Sequence, residues 1–196
     1  MMSNPALLFI PIGIILNLSG AFANSSLKLP LFLDSIGTIL AAVTLGPWPG
    51  AATGFLSNLI IGIVHTPVSI PFGIVNALIG FTAGYLSRKR GFEDSLTPLI
   101  TALILALACP VLATPIAVYL FGGVTGGDID TYVAVLMESG NQILSSAFLV
   151  RIFSNLADKL LSVYMVMFLI RLLPPVWKGN AARKESGSTE MPAETE

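Results

Sequence analysis

The feature that most constrains the fold is a run of 53 residues, 35–87, that contains no Asp, Glu, Lys or Arg. A soluble domain needs ionisable groups on its surface, whereas hydrocarbon rejects each of them at a cost of roughly 2.5–3.5 kcal/mol at the centre of a spanning helix. The run therefore indicates chain that lies in lipid. At ~20 residues per spanning helix it holds two full crossings, or three if the first begins near Leu31.

The remaining composition indicates one membrane domain. The chain is 54% hydrophobic and 11% charged, against about 25% charged in an ordinary soluble domain. Residues 179–196 hold six of the 21 charged residues, so we expect residues 1–178 to form the membrane domain and residues 179–196 to be a disordered cytoplasmic tail. A net charge of −1 argues against a nucleic-acid partner.

Sequence motifs for catalysis are missing. Cys109 and His65 are the only residues of their types, which rules out an intramolecular disulfide and most zinc, haem and di-iron chemistry. The sequence contains no HExxH, no Gly-x-Ser-x-Gly elbow and no Walker phosphate loop, so we predict neither an enzyme nor a bound cofactor.

Hydrophobic segments and turn residues predict an all-α membrane protein with six transmembrane helices in one bundle. The pentapeptide at 46–50, GPWPG, is expected to be a helix-breaking reversal. The predicted spans are about 5–23, 31–45, 51–65, 70–87, 96–121 and 156–173.

A long loop between the fifth and sixth spans is expected to cap the bundle. Residues 122–127 read as flexible loop and residues 130–139 as a short helix. Gly140 interrupts this helix, and residues 141–154 read as another helical piece.

The basic residues predict the orientation. With both termini in the cytoplasm, seven of the ten Lys and Arg residues lie inside, as the positive-inside rule requires. The seven are Arg88, Lys89, Arg90, Arg171, Lys178, Arg183 and Lys184.

Small residues recur at helical spacing in the third and fourth spans, including the pairs Gly50/Gly54 and Gly80/Gly84. Such stripes allow close helix approach, either inside the domain or against a partner membrane protein.

Charged residues near the membrane are candidate ligand contacts. Asp34 begins the second span, and Asp158 and Lys159 begin the sixth on a polar face with Asn155 and Ser162. Asp158 and Lys159 diverge by about 100° around the helix, so they need not pair with each other. The open alternatives are a pair between Lys159 and Asp34 across helices, snorkelling of these charges to the interface, and contact with a ligand.

Ordered segments of the chain resemble the substrate-binding S component of energy-coupling factor (ECF) vitamin transporters. They are LPLFLDSIGTIL (29–40), GPWPGAATGFLSNLI (46–60), NALIGFTAGYL (76–86), GGVTGGDIDTYVAVLMESG (122–140) and NLADKLLSVYMVMFLIRLLP (155–174). The resemblance implies a plasma-membrane protein of bacteria or archaea that captures a small water-soluble vitamin or related micronutrient from outside. It also implies that the protein docks on a transmembrane coupling protein and two ABC ATPases that drive uptake.

The resemblance also implies where ligand and partner bind. The substrate-binding residues it implies are Asp34, Asn76, Glu138, Asn141, Asp158 and Lys159. The family's docking helix often carries Ala-xxx-Ala, for which this chain offers small residues instead: Gly13, Ser19, Ala23, Gly50 and Gly54. Two other functions share the apolar body: a ligand-sensing membrane receptor that acts through a partner protein, and an intramembrane enzyme, which the missing motifs disfavour.

Overall fold

Every regular element is helical in the residues that the computed structural model describes, 6–93, 95–174 and 177–178. There are seven α-helices in this part of the chain, joined in places by tighter or wider turns. They are α1 (Ala6–Leu27), α2 (Ile36–Leu45), α3 (Pro47–Val64), α4 (Gly73–Arg90), α5 (Leu96–Pro115), α6 (Ile129–Glu138) and α7 (Ile143–Leu172). The predicted tail at 179–196 lies outside the described residues.

Three of the described helical segments are long and apolar enough to cross a membrane. They are Leu8–Leu27 in α1, Leu96–Leu120 in α5 with its π-helical extension, and Ile143–Leu172 in α7. The all-α membrane class is therefore confirmed, and the six-span bundle stays a prediction.

The prediction of a membrane-spanning helix at 31–45 is wrong, because the helix begins only at Ile36. α2 has 10 residues, about 15 Å at 1.5 Å per residue, which is half of a ~30 Å hydrocarbon core. The chain before it is irregular, since Lys28 and Leu33 have φ of 50° and 53° and Pro30 lies between them. Nine of the ten α2 residues are buried, so this helix is a central element enclosed by α1, α3, α4 and α7.

The last predicted span and the helical piece before it form one helix. α7 runs unbroken for 30 residues, where we expected a piece at 141–154 and a span at 156–173. The polar residues around Asp158 indicated a boundary between two helices. Their side chains are buried inside the bundle instead, and residues 143–172 contain no Gly or Pro to end the helix.

The pentapeptide at 46–50 also differs from its prediction. α3 begins at Pro47. Proline is tolerated in the first turn of a helix, because an N–H there would have no partner within the helix and proline's fixed φ is already helical. Gly46, with φ of 111°, makes the reversal alone.

The glycine stripes of α3 and α4 face each other. A Cβ on Gly80 would collide with the backbone of Gly50, and a Cβ on Gly54 would collide with the carbonyl group of Asn76. The two stripes thus serve helix packing inside the chain, which was one of the two readings of the pattern.

Asn17 ties three helices together near the middle of α1. Its Nδ2 donates to Oγ1 of Thr38 at 2.7 Å and to Oγ of Ser57 at 2.9 Å. Its Oδ1 accepts from the backbone N–H of Gly37 at 2.7 Å and of Thr38 at 3.2 Å. A fully buried asparagine is stable in this position because all four of its bonds are made.

The two ends of the chain's described part meet. The Phe9 ring packs edge-on against Trp177, with 6.0 Å between the ring centroids. Lys178 pairs with Glu93 at 2.6 Å, and Arg171 donates to the Glu93 backbone oxygen at 3.0 Å. The start of α1, the α4–α5 connection and the end of α7 therefore share one end of the bundle, which we name the basic end (residues 88–93, 171 and 177–178).

Candidate functional site

A cavity of about 270 Å³ lies between the α1–α2 connection, α3, α4, α7 and the loop before α6. This volume lies just below the roughly 300–1,000 Å³ of most ligand pockets, so the space is limited to one small molecule. α4 begins beside the cavity and ends at the basic residues 88–90, which places the cavity at the end of the bundle opposite to the basic end.

One side of the cavity is apolar. α3 contributes Ile61, and the start of α4 contributes Val75 and Ile79. Phe72, just before α4, also lines the cavity and stacks on Phe121 with 6.3 Å between ring centroids and 16° between their planes. This wall is suited to a flat apolar group of a ligand.

α7 supplies a polar row opposite this wall. Arg151, Asn155 and Lys159 are spaced four residues apart, so they lie on one face of the helix. All three are buried, with Arg151 only 1% exposed. Arg151 makes one bond of 3.4 Å to the Ala147 carbonyl of its own helix, so most of its five N–H donors are available to a ligand.

The charge of Lys159 is neutralised by its sequence neighbour. Its Nζ lies 2.5 Å from Oδ2 of Asp158 and 2.8 Å from Oγ of Ser35. Of the open alternatives for Lys159, the pair with Asp34 is not the one that forms: the partner is Asp158, because the four-carbon lysine stem reaches back across the ~100° between adjacent positions.

Asp158 does not line the cavity; it holds the segment that does. Its Oδ1 accepts from the backbone N–H groups of Phe32 at 3.2 Å and Leu33 at 2.8 Å. Leu33 has a φ of 53°, in the left-handed region. Residues other than glycine rarely adopt this conformation unless the surrounding structure holds them in it. The buried carboxylate therefore fixes the irregular chain that brings Phe32 and Asp34 to the cavity.

Three polar residues connect α3, α4 and the α1–α2 connection. Asn58 donates through Nδ2 to the Ser69 carbonyl at 3.1 Å. Asn76 donates through Nδ2 to Oδ1 of Asn58 at 2.7 Å and to the Asp34 carbonyl at 3.0 Å. Asn58, Asn76 and Asp34 all line the cavity.

The loop before α6 covers part of the cavity through residues 125–129. Asp130 stabilises this loop, since its carboxylate accepts from the backbone N–H groups of Thr125 and Gly126, each at 2.7 Å, and from Oγ1 of Thr125 at 3.1 Å. This is the part of the predicted cap that reaches the cavity.

The structure brings three of the six predicted substrate-binding residues to the cavity, namely Asp34, Asn76 and Lys159. Asp158 lies directly behind them. Glu138 and Asn141 are exposed near the end of α6 and do not line it; the length of the ten-residue helix α6 separates them from the loop that covers the cavity.

The sequence patterns did not single out four further lining residues as binding residues: Asn24, Asn58, Arg151 and Asn155. Extending the spacing of Asn155 and Lys159 one helical turn back would have found Arg151, but the predicted break near residue 155 separated them. Asn24 read only as part of a turn.

The five predicted docking residues divide into two sets. Gly13, Gly50 and Gly54 are buried, and a Cβ on any of them would meet other helices of the same chain. They are thus not available to a partner. Ser19 and Ala23 are exposed on α1.

Among the described residues, no group of three or more His, Cys, Asp or Glu side chains could hold a metal ion.

Comparison with known proteins gives one match. The family model described as "ECF-type riboflavin transporter, S component" matches residues 8–174. No curated protein and no solved structure matches the chain.

Proposed function

This chain belongs to the ECF-type riboflavin transporter S component family, and from that premise we propose that it captures riboflavin at the outer face of the membrane for uptake. Membership makes it a multi-pass membrane protein and the substrate-binding subunit of an ECF transporter. The identity of the ligand, the orientation and the uptake mechanism are the parts that need argument and test.

The observation that carries the ligand assignment is the pairing of an apolar wall with a polar row across one cavity. Riboflavin has a flat aromatic ring system, a pyrimidine-like edge with carbonyl and N–H groups, and a polyhydroxyl chain. The wall around Phe72 and Val75 suits the ring system. Arg151 and Asn155 offer donors to carbonyl and hydroxyl oxygens.

The basic end supports an outward-facing cavity. Arg88, Lys89 and Arg90 end α4, and Arg171 and Lys178 lie at the same end. The positive-inside rule places this end in the cytoplasm. The N-terminus is then cytoplasmic as well, because Phe9 contacts Trp177 there, and the cavity faces outward.

Uptake requires energy that this chain has no motif to supply. We propose that it docks on a transmembrane coupling protein and two ABC ATPases through the exposed face of α1 that carries Ser19 and Ala23. Small residues on a membrane-exposed helix face let a partner helix approach closely.

Titration of purified protein in detergent with riboflavin, followed by quenching of flavin fluorescence, tests the ligand assignment. We expect saturable one-to-one binding without ATP, and no binding of thiamine or biotin as controls. Arg151→Ala should weaken binding by about tenfold or more, since hydrogen bonds to charged groups are worth about 1.5–3 kcal/mol. Absence of riboflavin binding by the wild-type protein would overturn the assignment.

A further inference from the structure

Two amide oxygens at the cavity are buried without a partner. Oδ1 of Asn24 and Oδ1 of Asn76 accept no hydrogen bond within the described part of the chain, and both residues line the cavity. Asn76 is only 2% exposed. Buried polar atoms in native proteins nearly always have a partner, so two such oxygens at one cavity need an explanation.

The orientation of the Asn76 amide is fixed by backbone groups that can only accept. Asn58 must turn its Nδ2 towards the Ser69 carbonyl, which leaves its Oδ1 as the acceptor for Asn76. Asn76 must then present its Nδ2 to Asn58 and to the Asp34 carbonyl. An exchange of O and N in Asn76 would place two acceptors against each other, so its Oδ1 is an obligate acceptor.

The same argument fixes Asn24. Its Nδ2 donates to the Leu31 carbonyl at 2.9 Å, and a carbonyl cannot donate in return. Its Oδ1 is thus also an obligate acceptor.

We infer that Asn24 and Asn76 select the ligand by its hydrogen-bond donors, each accepting from an N–H or O–H group of the bound molecule. This inference rests on the proposed function and refines it. Riboflavin has donors of both kinds, the imide N–H of its ring and the hydroxyls of its ribityl chain. A flavin that lacks the matching donor leaves a buried acceptor unpaired, which a site built for hydrogen bonding rejects strongly.

Two flavins that each lack one kind of donor test the inference. Lumiflavin has a methyl group in place of the ribityl chain and keeps the ring N–H, whereas 3-methylriboflavin keeps the hydroxyls and lacks the ring N–H. The affinities of riboflavin and both analogues are measured for wild type, Asn24→Ala and Asn76→Ala in detergent. Asn141→Ala is the matched control, because its amide also donates to a backbone carbonyl, that of Leu136 at 3.0 Å, but lies outside the cavity.

Each cavity variant should bind riboflavin about tenfold or more weakly than wild type does. For the analogue that lacks the donor to the substituted asparagine, the variant and wild type should have affinities within about twofold of each other, because wild type cannot form that hydrogen bond with the analogue either. Asn141→Ala should change none of the three affinities. Equal weakening of all three flavins by both variants would assign the asparagines a purely structural role and overturn the inference.

The wild-type protein tests the inference without any substitution, should Asn76→Ala fail to fold. We expect both analogues to bind more weakly than riboflavin. Equal binding of all three would overturn the donor requirement and leave the riboflavin assignment intact. Failure of wild type to bind riboflavin would overturn the assignment, and the donor requirement with it.

Discussion

At the scale of single residues, buried polar groups define this molecule more than its apolar surface does. Asp158 is fully buried, and it both pairs with Lys159 and accepts from the backbone of the irregular segment before α2. A buried ion pair adds little net stability by itself, but removal of one partner leaves the other charge uncompensated. Burial of the Asp158 carboxylate costs desolvation free energy, and its contacts with Lys159 and with the backbone before α2 offset that cost.

We predict that Asp158→Ala lowers the free energy of unfolding by about 3–5 kcal/mol, because Lys159 becomes an unpaired buried charge and two backbone N–H groups lose their acceptor. Denaturant unfolding in detergent, followed by tryptophan fluorescence, measures the change. Glu93→Ala is the matched control, since it removes the partly exposed pair with Lys178 and should cost less than about 1 kcal/mol. Equal losses in the two variants would contradict this account.

The sequence allowed the charged residues to be found but not their partners. Asp34, Asp158 and Lys159 stood out because charge is rare in an apolar helix. Helical geometry alone left the partner of Lys159 open, since it describes where a side chain starts and not where a flexible stem ends. The orphaned oxygens of Asn24 and Asn76 were beyond prediction, because they depend on which backbone carbonyls lie nearby in the folded chain.

At the scale of elements, the close contact of α3 and α4 sets the position of the cavity wall. A Cβ on Gly80 would collide with the backbone of Gly50, and a Cβ on Gly50 would collide with Ala42 of α2 and lie 3.0 Å from the Gly80 carbonyl oxygen. Ile61 on α3 and Val75 and Ile79 on α4 extend from this contact to the cavity. Glycine is needed at these positions so that the two helices can pack closely, and not because the backbone adopts a left-handed φ.

We predict that Gly80→Ala destabilises the protein by about 1–3 kcal/mol through overpacking, although alanine is the better helix former by about 1 kcal/mol. Unfolding in detergent measures it. Gly127→Ala makes the same chemical change where the new Cβ would meet only Oγ1 of Thr125 at 3.9 Å and Cγ1 of Ile129 at 4.0 Å, so its stability should stay within about 0.5 kcal/mol. An unchanged or raised stability of Gly80→Ala would refute the close contact.

Element type was easier to predict than element length. Long hydrophobic segments separated by turn residues were enough to predict the all-helical class. The short α2 and the long α7 were missed for opposite reasons. Pro30 and two left-handed residues prevent helix between residues 28 and 35. In α7, by contrast, Asn155, Asp158 and Lys159 find partners within the fold and do not end the helix.

At the scale of the whole molecule, the two ends of the bundle have different chemistry. One end holds the cavity with its asparagines and the polar row of α7. The other is basic and joins the first helix to the end of α7 through Phe9 and Trp177. The side of α1 with Ser19 and Ala23 lies between these ends and is exposed.

We predict that the double substitution Ser19→Leu and Ala23→Leu leaves riboflavin affinity unchanged but abolishes uptake, because the larger side chains keep a partner helix at a distance. Flavin titration of the purified protein and uptake by cells that express it with an ECF module measure the two effects. Ala134→Leu, an exposed alanine on α6, is the control and should affect neither. Normal uptake by the double variant would exclude this face as the docking site.

α7 spans the distance between these two ends without a break. Its 30 residues form a rod of about 45 Å, with Arg151, Asn155 and Lys159 along one part and Arg171 near the other end. Because no proline or glycine provides a hinge, the rod acts as a lever. If a partner docks on its basic end and tilts it, we expect the ligand-facing side chains at the far end to be displaced, so that inclination of one helix and release of the ligand would be a single mechanical event.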